Sequence, residues 1–415
     1  MNLKHYAIFG NDLSVKGKWI QNLLKGENCS ELKEFSGKKG LLFSETVLNQ
    51  LIEEDYKHGD SVLIPNENRA LRTFSSGEKR KAFLEYLLKQ KPDFLVLDNP
   101  YDSLDKASVA DLKTTLRNIS ETTVIIQIFN RKEDLMPFVD LILNVENEKI
   151  VKTIEVSEFL KNHTITSISA IKTIPPAPRN FKGIPEVLVE MKNISVSYED
   201  QPILNKISWK IKKGDFWQLT GPNGSGKTTL LSMVYGDNPK AYGVDLYLFA
   251  NKKGSGESVW EIKKKIGYFS PALTELFNRR NTVLEMLISG LMDSVGLYQK
   301  SGDKDIRLAK EWLKTLNLED KSNKIFTELP EFQKRMILIG RAMIKHPPLL
   351  ILDEPTTSLD DKSALKITSL INLFAKESDT AVVFVSHRKE KGLQPEAIYR
   401  LIPSKNGSKG EILLE

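Results

Sequence analysis

Residues 216–234 read FWQLTGPNGSGKTTLLSMV, which is a short apolar run, a glycine-rich turn and a run of helix-forming residues. The turn fits the pattern GxxxxGK[ST], in which glycines let backbone N–H groups surround phosphate at the start of a helix. In that pattern Lys227 reaches the β- and γ-phosphates, and the Thr228 hydroxyl ligates Mg²⁺. Because a strand and a helix flank the turn, a turn that binds nothing is the weaker alternative. The residues predicted to surround the nucleotide are Gly221, Pro222, Asn223, Gly224, Ser225, Gly226, Lys227, Thr228 and Thr229.

The overall composition is that of a globular protein. The chain has 415 residues, of which 40% are hydrophobic and 27% charged, enough for about two to three domains. Its single cysteine, Cys29, excludes an internal disulfide framework and fits a reducing compartment. The sequence has no apolar run of about 18 residues and no N-terminal secretion signal. A net charge of +6 over this length does not indicate a dedicated nucleic-acid surface. We therefore expect a cytoplasmic protein.

The sequence repeats with a spacing of 255 residues. The segment LPEFQKRMILIGRAMIKHPPLLILDEP at 329–355 aligns in one register with FSSGEKRKAFLEYLLKQKPDFLVLDNP at 74–100. Further along, HRKE at 387–390 corresponds to NRKE at 130–133, an offset of 257. A repeat of this length is typical of two copies of one structural unit. It predicts a tandem duplication.

Each half alternates apolar runs rich in strand-forming residues with helical stretches. This alternation predicts α/β units around a mostly parallel sheet, with ligands at the C-terminal ends of the strands. Between the halves, residues 163–186 carry four prolines and little periodicity, which indicates an extended linker. The predicted domains are therefore residues 1–162 and 187–415.

Four motifs of the second half, GPNGSGKTT, LLILDEP, SLD and VSHR, follow one another in an order that resembles the nucleotide-binding domain of ABC ATPases. In the first half, FSSGE at 74–78 resembles that family's LSGGQ signature. The resemblance implies two P-loop NTPase domains of the ABC nucleotide-binding type in tandem. It also implies that Asp353 helps to hold Mg²⁺, that Glu354 polarises the attacking water and that His387 senses the γ-phosphate.

The resemblance also assigns residues around the adenine and the phosphates. An aromatic residue upstream of the P-loop stacks on adenine in this family, and Tyr198 occupies that place. An ordinary strand aromatic is the alternative for Tyr198, because stacking needs a geometry that sequence does not give. Family members pack two domains head to tail, so each nucleotide lies between the P-loop of one domain and the signature of the other. The signature residues assigned to the nucleotide here are Ser75, Ser76, Gly77 and Glu78.

The first half departs from the family pattern at its own loop. In GNDLSVKGK, Leu13 and Val15 stand inside the loop, where they resist the φ > 0 conformations that glycine permits. Asp12 brings an acid towards phosphate, and Gly17 has no hydroxyl where the second half has Thr228. We therefore expect this loop to bind nucleotide poorly.

The catalytic positions of the first half differ as well. Asn99, which is no base, replaces Glu354, and Asn130 replaces His387. The first half is also 44 residues shorter between its loop lysine and the aspartate that ends the apolar strand. That interval normally carries the helical subdomain, so the first domain is predicted to be shortened and degenerate.

The signature segment departs from the family pattern in the second half. In LPEFQ, Pro330 has no N–H to donate, and Glu331 would repel phosphate at a helix N-terminus. The intact parts are then the second-half P-loop and the first-half FSSGE, which predicts one composite site for ATP and Mg²⁺. The alternative is simple decay of the first half, but independent decay would not be expected to spare FSSGE.

The predicted function is ATP binding and hydrolysis at that single site, as the ATP-binding component of an ABC-type system. The alternative is an ATP-dependent switch or interaction module with negligible hydrolysis. Glu354 and His387 favour the first, whereas Pro271 favours the second because it stands in IGYFSPAL where the family usually has a glutamine.

Within the family, the tandem architecture and LISGLMDSVGLY at 287–298 look most like the ModF-like proteins, described as molybdate-transport or photorepair ATPases. The expected partners are ATP and the other half of the same chain. A membrane-embedded transporter subunit or another protein partner is also expected, although the sequence identifies neither. A membrane subunit would place the protein at the inner face of the membrane.

Overall fold

The computed structural model describes residues 3–10, 13–25, 32–58, 63, 74–146, 149–162, 173–178, 180–277, 280–294 and 301–414. The chain divides into two compact units. The first comprises Met1–Ser167 and Thr357–Lys362, and the second comprises Ile168–Thr356 and Ser363–Glu415.

The first unit is an α/β domain around one sheet. Its strands are β1 (Tyr6–Phe9), β2 (Gly40–Phe43), β3 (Phe94–Asp98), β4 (Val124–Phe129), β5 (Leu141–Glu146) and β6 (Lys149–Glu155). Its helices are α1 (Leu13–Leu24), α2 (Glu45–His58), α3 (Ser76–Lys89), α4 (Lys106–Ser120) and α5 (Val156–Asn162). The sheet order is β2-β3-β4-β1-β5-β6, and every neighbouring pair is parallel except β5 and β6.

The second unit contains a corresponding sheet and an additional one. Its strands are β7 (Val187–Tyr198), β8 (Gln201–Lys212), β9 (Phe216–Thr220), β10 (Leu246–Leu248), β11 (Asn251–Lys252), β12 (Ile266–Phe269), β13 (Leu349–Asp353), β14 (Ala381–Val385), β15 (Ala397–Ile402) and β16 (Lys409–Leu414). Its helices are α6 (Lys227–Tyr235), α7 (Val259–Lys264), α8 (Leu273–Leu276), α9 (Val283–Ser289), α10 (Asp303–Thr315), α11 (Glu331–Met343) and α12 (Asp361–Glu377). Short 3₁₀ turns occur in both halves at Lys33–Phe35, Lys132–Asp134, Pro239–Ala241, Glu319–Lys321 and Phe326–Glu328.

The two six-stranded sheets have one topology. In the second unit the order is β12-β13-β14-β9-β15-β16, which matches the first sheet strand for strand, and β15 and β16 are again the antiparallel pair. A separate antiparallel sheet, β11-β10-β7-β8, belongs to the second unit. The predicted fold class of two α/β domains is therefore confirmed.

The first unit is also the shorter one. Between β2 and β3 its described part has α2 and α3, whereas the second unit has α8, α9, α10 and α11 between β12 and β13. The central strands are apolar throughout because helices cover both faces of a parallel sheet. Thus β3 (FLVLD) and β13 (LLILD) each bury their first four residues and end on a partly exposed aspartate. No helix in the described ranges is long and apolar enough to cross a membrane.

Candidate functional site

The glycine-rich loop of the second unit joins β9 to α6. Gly224 and Gly226 have φ values of +74° and +90°, a region that residues with a Cβ rarely adopt. A Cβ on Gly226 would also lie 2.7 Å from Leu204 Cδ2 on β8. Glycine is therefore required at position 226 by backbone conformation and by the close approach of β8.

Two polar side chains of this stretch, Ser225 and Lys227, are buried. Lys227 is buried at the start of α6, and its Nζ donates to the carbonyls of Gly221 at 2.8 Å and Pro222 at 3.0 Å. Ser225 is fully buried, and its Oγ has no hydrogen-bond partner among the described residues. Buried polar groups are normally paired, so this hydroxyl lacks its usual partner. Thr228 is exposed in the first turn of α6, and Thr229 beside it is half-buried.

A carboxylate and an imidazole meet at the ends of β13 and β14. Asp353 pairs with Val385 in the parallel register of these strands, and the Glu354 N–H donates to the Val385 carbonyl at 3.0 Å. Glu354 Oε1 lies 3.3 Å from His387 Nδ1. The His387 side chain is 4% exposed, and its Nε2 has no hydrogen-bond partner in the part of the chain that the structure describes. The imidazole is therefore held on one nitrogen, while the other is buried without a partner among the described residues.

Asp353 carries an unusually basic carboxylate. Burial, together with the nearby charge of Glu354, raises the pKa of Asp353 to about 6, and Lys227 opposes the shift. Desolvation disfavours the charged form of a carboxylate, and a neighbouring carboxylate acts in the same direction. A cation bound beside Asp353 would relieve both effects.

Tyr198 lies at the end of β7, where the β7–β8 hairpin approaches the P-loop. Its side chain is 40% exposed, and its hydroxyl accepts a 2.8 Å hydrogen bond from Asn238 Nδ2. The Lys240 ammonium lies 5.8 Å from the centre of the tyrosine ring. The ring is thus held through its hydroxyl and remains partly exposed. Its adenine contact stays a prediction.

Two positioning interactions were not anticipated from the sequence. Gln218, a polar residue inside the buried strand β9, donates from Nε2 to Ser386 Oγ at 3.1 Å and to the Arg388 carbonyl at 3.3 Å. These bonds hold the Ser386 hydroxyl on one side of His387 and the Arg388 carbonyl on the other. A polar residue in the buried run FWQLT was the signal that could have revealed the first of them.

The second interaction is repeated in both units. Arg335 on α11 donates from Nη1 to the Pro355 carbonyl at 3.3 Å, and Arg80 on α3 donates likewise to the Pro100 carbonyl at 2.6 Å. Both arginines are 5% exposed. Each guanidinium therefore fixes the turn that follows the strand-ending aspartate. The aligned repeats carry arginine at the same position, which was the signal in the sequence.

The corresponding turn of the first unit has a different chemistry. Asn99 Nδ2 donates to Asp98 Oδ1 at 2.8 Å, so the amide engages one oxygen of that carboxylate. Asn130 is buried after β4. Asparagine is not a general base, and this turn has no counterpart of the carboxylate–imidazole pair of the second unit.

The loop of the first unit is helical where the second unit has glycines. Helix α1 begins at Leu13, three residues before Lys16, whereas α6 begins at Lys227 itself. Asp12 and the side chains of Leu13 and Val15 lie outside the described residues. A Cβ on Gly17 would meet no atom within 4 Å. Packing therefore leaves room at this position for a residue that carries a hydroxyl.

The two signature segments begin their helices differently. Ser75 caps α3, because its Oγ accepts the Glu78 N–H at 3.2 Å while Glu78 Oε2 accepts the Ser75 N–H at 2.7 Å. Ser76 is exposed in the first turn, and a Cβ on Gly77 would lie 2.8 Å from an oxygen of α4. Helix α11 has no side-chain cap at Pro330. The first-unit signature is thus the one with a preorganised helix start.

The sheet topology and the glycine-rich loop define a P-loop nucleoside triphosphatase. A model of the ABC transporter family matches residues 204–357. The ABC transporter ATP-binding protein ModF of Escherichia coli K12 is 36% identical over 334 residues, covering 78% of this chain and 68% of that protein. An uncharacterized ABC transporter ATP-binding protein, C323.04 of Schizosaccharomyces pombe, is 31% identical over 339 residues, covering 80% and 68%. The chain belongs to the ABC transporter ATP-binding protein family.

A solved structure supports the fold of the whole chain. The model of ribosome-bound archaeal Pelota and ABCE1 is similar over 99% of this chain and 75% of that chain, with a TM-score of 0.65 and 17% identity. This likeness concerns the fold alone. The predicted resemblance to ABC ATPases, and to ModF-like proteins within them, is confirmed by the relatives. Proteins of this class bind and hydrolyse ATP.

Proposed function

We propose that the chain hydrolyses ATP at one composite site, in which the second-half P-loop binds the nucleotide and the first-half signature closes over it. The contrast between the two turns that follow β13 and β3 carries this proposal. Glu354 lies 3.3 Å from an imidazole nitrogen, whereas Asn99 donates to the neighbouring Asp98 at 2.8 Å. Only the first arrangement offers a carboxylate that can accept a proton from water.

The residues of the second half have separate roles in phosphoryl transfer. Backbone N–H groups of the loop and the Lys227 ammonium hold the β- and γ-phosphates. Glu354 accepts a hydrogen bond from the attacking water and orients it, and His387 holds Glu354 through Nδ1. Nε2 of His387 donates to the γ-phosphate when the ring carries protons on both nitrogens, because the Nδ1 proton is the one shared with Glu354.

The chemistry of the donor set fits Mg²⁺. Thr228 offers a hydroxyl oxygen and Asp353 a carboxylate, which are the hard oxygen ligands that Mg²⁺ prefers. The raised pKa of Asp353 reflects burial and a neighbouring negative charge, both of which a bound cation offsets. When bound, the metal neutralises charge on the β- and γ-phosphates.

The first half contributes its signature to the same nucleotide. Helix α3 has 14 residues, and its first turn carries Ser76 and Gly77 after the cap at Ser75. A helix N-terminus presents free N–H groups and a favourable dipole to phosphate. Glu331, at the start of α11, instead bonds to Arg335 at 3.1 Å and places an acid where phosphate would bind. The site is therefore single.

Adenine binding by Tyr198, and a protein partner, complete the proposal. The chain would act as the ATP-binding component of an ABC-type system in the cytoplasm, with a membrane-embedded subunit or another protein as the recipient of its motion. The name of the related ModF supports this role, since that protein is described as an ABC transporter ATP-binding protein.

A switch with negligible hydrolysis is the second candidate, and Pro271 favours it. Pro271 follows β12 in a turn in which its own carbonyl accepts the Thr274 N–H at 3.0 Å. A glutamine there would offer an amide to the metal or the water, and proline offers none.

Steady-state phosphate release from wild type and Glu354→Gln separates the two candidates. The ATPase predicts a loss of at least about 100-fold in turnover with nucleotide affinity unchanged, because the variant keeps shape and loses the base. Equal and negligible turnover in both proteins would support the switch. Asn99→Gln is the matched control and should leave turnover unchanged.

A further inference from the structure

Asn238 is a buried asparagine between the end of α6 and the 3₁₀ turn Pro239–Ala241. Only 5% of the residue is exposed, and both ends of its side-chain amide form hydrogen bonds. Oδ1 accepts the Lys240 N–H at 2.9 Å, and Nδ2 donates to the Tyr198 hydroxyl at 2.8 Å and to Ser232 Oγ at 3.0 Å. Because the Lys240 backbone N–H needs an acceptor, this pattern settles which end of the amide faces Tyr198.

A chain of hydrogen bonds therefore joins Tyr198 to the first turn of α6, the helix that follows the P-loop. Ser232 Oγ, which accepts from Asn238, donates in turn to the Thr229 carbonyl at 2.8 Å. The Asn238 N–H also donates to the Ser232 carbonyl at 3.2 Å, so the asparagine backbone is bonded to α6 as well. Thr229 follows Thr228, the predicted ligand of Mg²⁺. The hydroxyl end of the Tyr198 ring is thus placed relative to the phosphate-binding loop.

The bond from Asn238 holds the free end of an exposed side chain. Tyr198 is the last residue of β7, and its side chain is 40% exposed. An exposed side chain samples several rotamers, and binding a ligand against one of them costs the freedom to visit the others. A ring that is fixed at Cβ and at its hydroxyl retains only rotation about the axis that joins these two points.

We propose that Asn238 is a positioning residue for the nucleobase, because it fixes the Tyr198 ring in the orientation in which the ring stacks on adenine. This inference rests on the adenine contact of Tyr198 in the proposed function. The asparagine is buried and uses both N–H groups of its amide inside the protein, so it acts through the tyrosine. Preorganisation of one side chain corresponds to about 5-fold in affinity.

Equilibrium titration of the full chain with Mg·ATP and with Mg·tripolyphosphate tests this role, because tripolyphosphate has no base. Asn238→Ala should weaken ATP binding about 5-fold and leave tripolyphosphate binding unchanged. Asn372→Ala on α12 is the matched control, since that amide also joins two segments, donating to the Gly392 carbonyl at 2.6 Å and accepting the Gln394 N–H at 3.1 Å. The control should change neither affinity. An equal loss for both ligands in Asn238→Ala, or no loss for either, would overturn the proposal.

A double-mutant cycle shows whether Asn238 acts through the tyrosine hydroxyl. Tyr198→Phe keeps the ring and removes the hydrogen-bond acceptor, so ATP affinity should fall by a similar factor. In that background Asn238→Ala should add less than about 2-fold, and losses that simply multiply would contradict the coupling. Thermal unfolding checks that the variants fold. If Asn238→Ala does not fold, Tyr198→Phe at its exposed position decides alone, and an unchanged ATP affinity there would overturn the proposal.

Further readouts separate a failure of this inference from a failure of the proposed function. Unchanged ATP affinity in Tyr198→Ala would overturn the adenine contact itself, whereas a loss there without a loss in Asn238→Ala would overturn only the role of Asn238. In steady-state phosphate release, Asn238→Ala should raise KM for ATP about 5-fold with kcat unchanged, since the base is bound equally in the ground state and the transition state. A lower kcat at unchanged KM would contradict a positioning role.

Discussion

Glu354 and Asn99 have nearly the same left-handed backbone, with φ values of +46° and +44°, although they lie 255 positions apart. The N–H of each donates across to the next parallel strand, to Val385 and Ile128 respectively, at 3.0 Å in both cases. Asparagine adopts this conformation more readily than glutamate. The second unit therefore has glutamate at a position where the backbone conformation suits asparagine better. Residues in such sparsely populated conformations are common at functional sites.

Nucleotide stoichiometry is the first prediction. Lys227 is the buried ammonium of the intact loop, so Lys227→Ala should abolish tight nucleotide binding. Lys16→Ala, in the loop that begins as helix α1, should leave binding nearly unchanged. Equilibrium titration should give one tightly bound nucleotide per wild-type chain. Two equivalent sites would contradict the proposal of a single composite site.

The signature can be tested without disturbing the helix cap. Ser75→Asp keeps an oxygen that caps α3 but adds a negative charge close to the proposed γ-phosphate position. Turnover should fall about 10-fold or more, since loss of a charge-stabilising contact costs on the order of 2–4 kcal/mol in the transition state. Phosphate release and thermal unfolding should be measured together, and the melting temperature should stay within a few degrees of wild type.

Pro330→Asp is the matched variant at the equivalent repeat position. Because α11 has no side-chain cap, aspartate there should stabilise the protein by about 0.5–2 kcal/mol and leave turnover unchanged. Similar losses of turnover from both aspartates, in folded proteins, would mean that the two signatures are not divided in function.

Two glycines that flank the loop lysines, Gly226 before Lys227 and Gly17 after Lys16, should respond oppositely to a methyl group. Gly226→Ala should destabilise the protein by about 1–3 kcal/mol, because φ is +90° and the new Cβ would lie 2.7 Å from Leu204. Gly17→Ala should be neutral or slightly stabilising, since no atom lies within 4 Å of its Cβ position and α1 is helical there. Chemical denaturation of the two variants against wild type checks the contrast.

The buried carboxylate of Asp353 predicts a pH-dependent stability. Its native pKa of about 6 exceeds its unfolded value, so the native state favours the protonated form and ionisation destabilises it as pH rises. Asp353→Asn should therefore stabilise the nucleotide-free protein by roughly 3 kcal/mol at pH 8 and roughly half as much at pH 5. Urea denaturation at the two pH values measures this, and a benefit that grows towards low pH would contradict the shift.

The P-loop, the α/β class and the duplication could all be predicted from the amino-acid sequence. These features are local or periodic: glycine spacing sets a turn, and an apolar run that ends on aspartate sets a buried strand. The capping box at Ser75 and Glu78 is equally local, since serine followed three residues later by glutamate is its signature. The same residues also resemble a nucleotide-binding motif, and only that role was predicted for them.

Which polar groups meet depends on how the strands pack side by side. Glu354 and His387 are 33 positions apart and come within 3.3 Å because β13 and β14 are parallel neighbours. Gln218 reaches the backbone around His387 across the next pair of strands for the same reason. The raised pKa of Asp353 likewise depends on burial, which is a property of the packed sheet. Motif spacing identifies the polar residues of the site. Their distances and protonation depend on which strands are neighbours in the sheet, and the order of strands in the sequence does not reveal this.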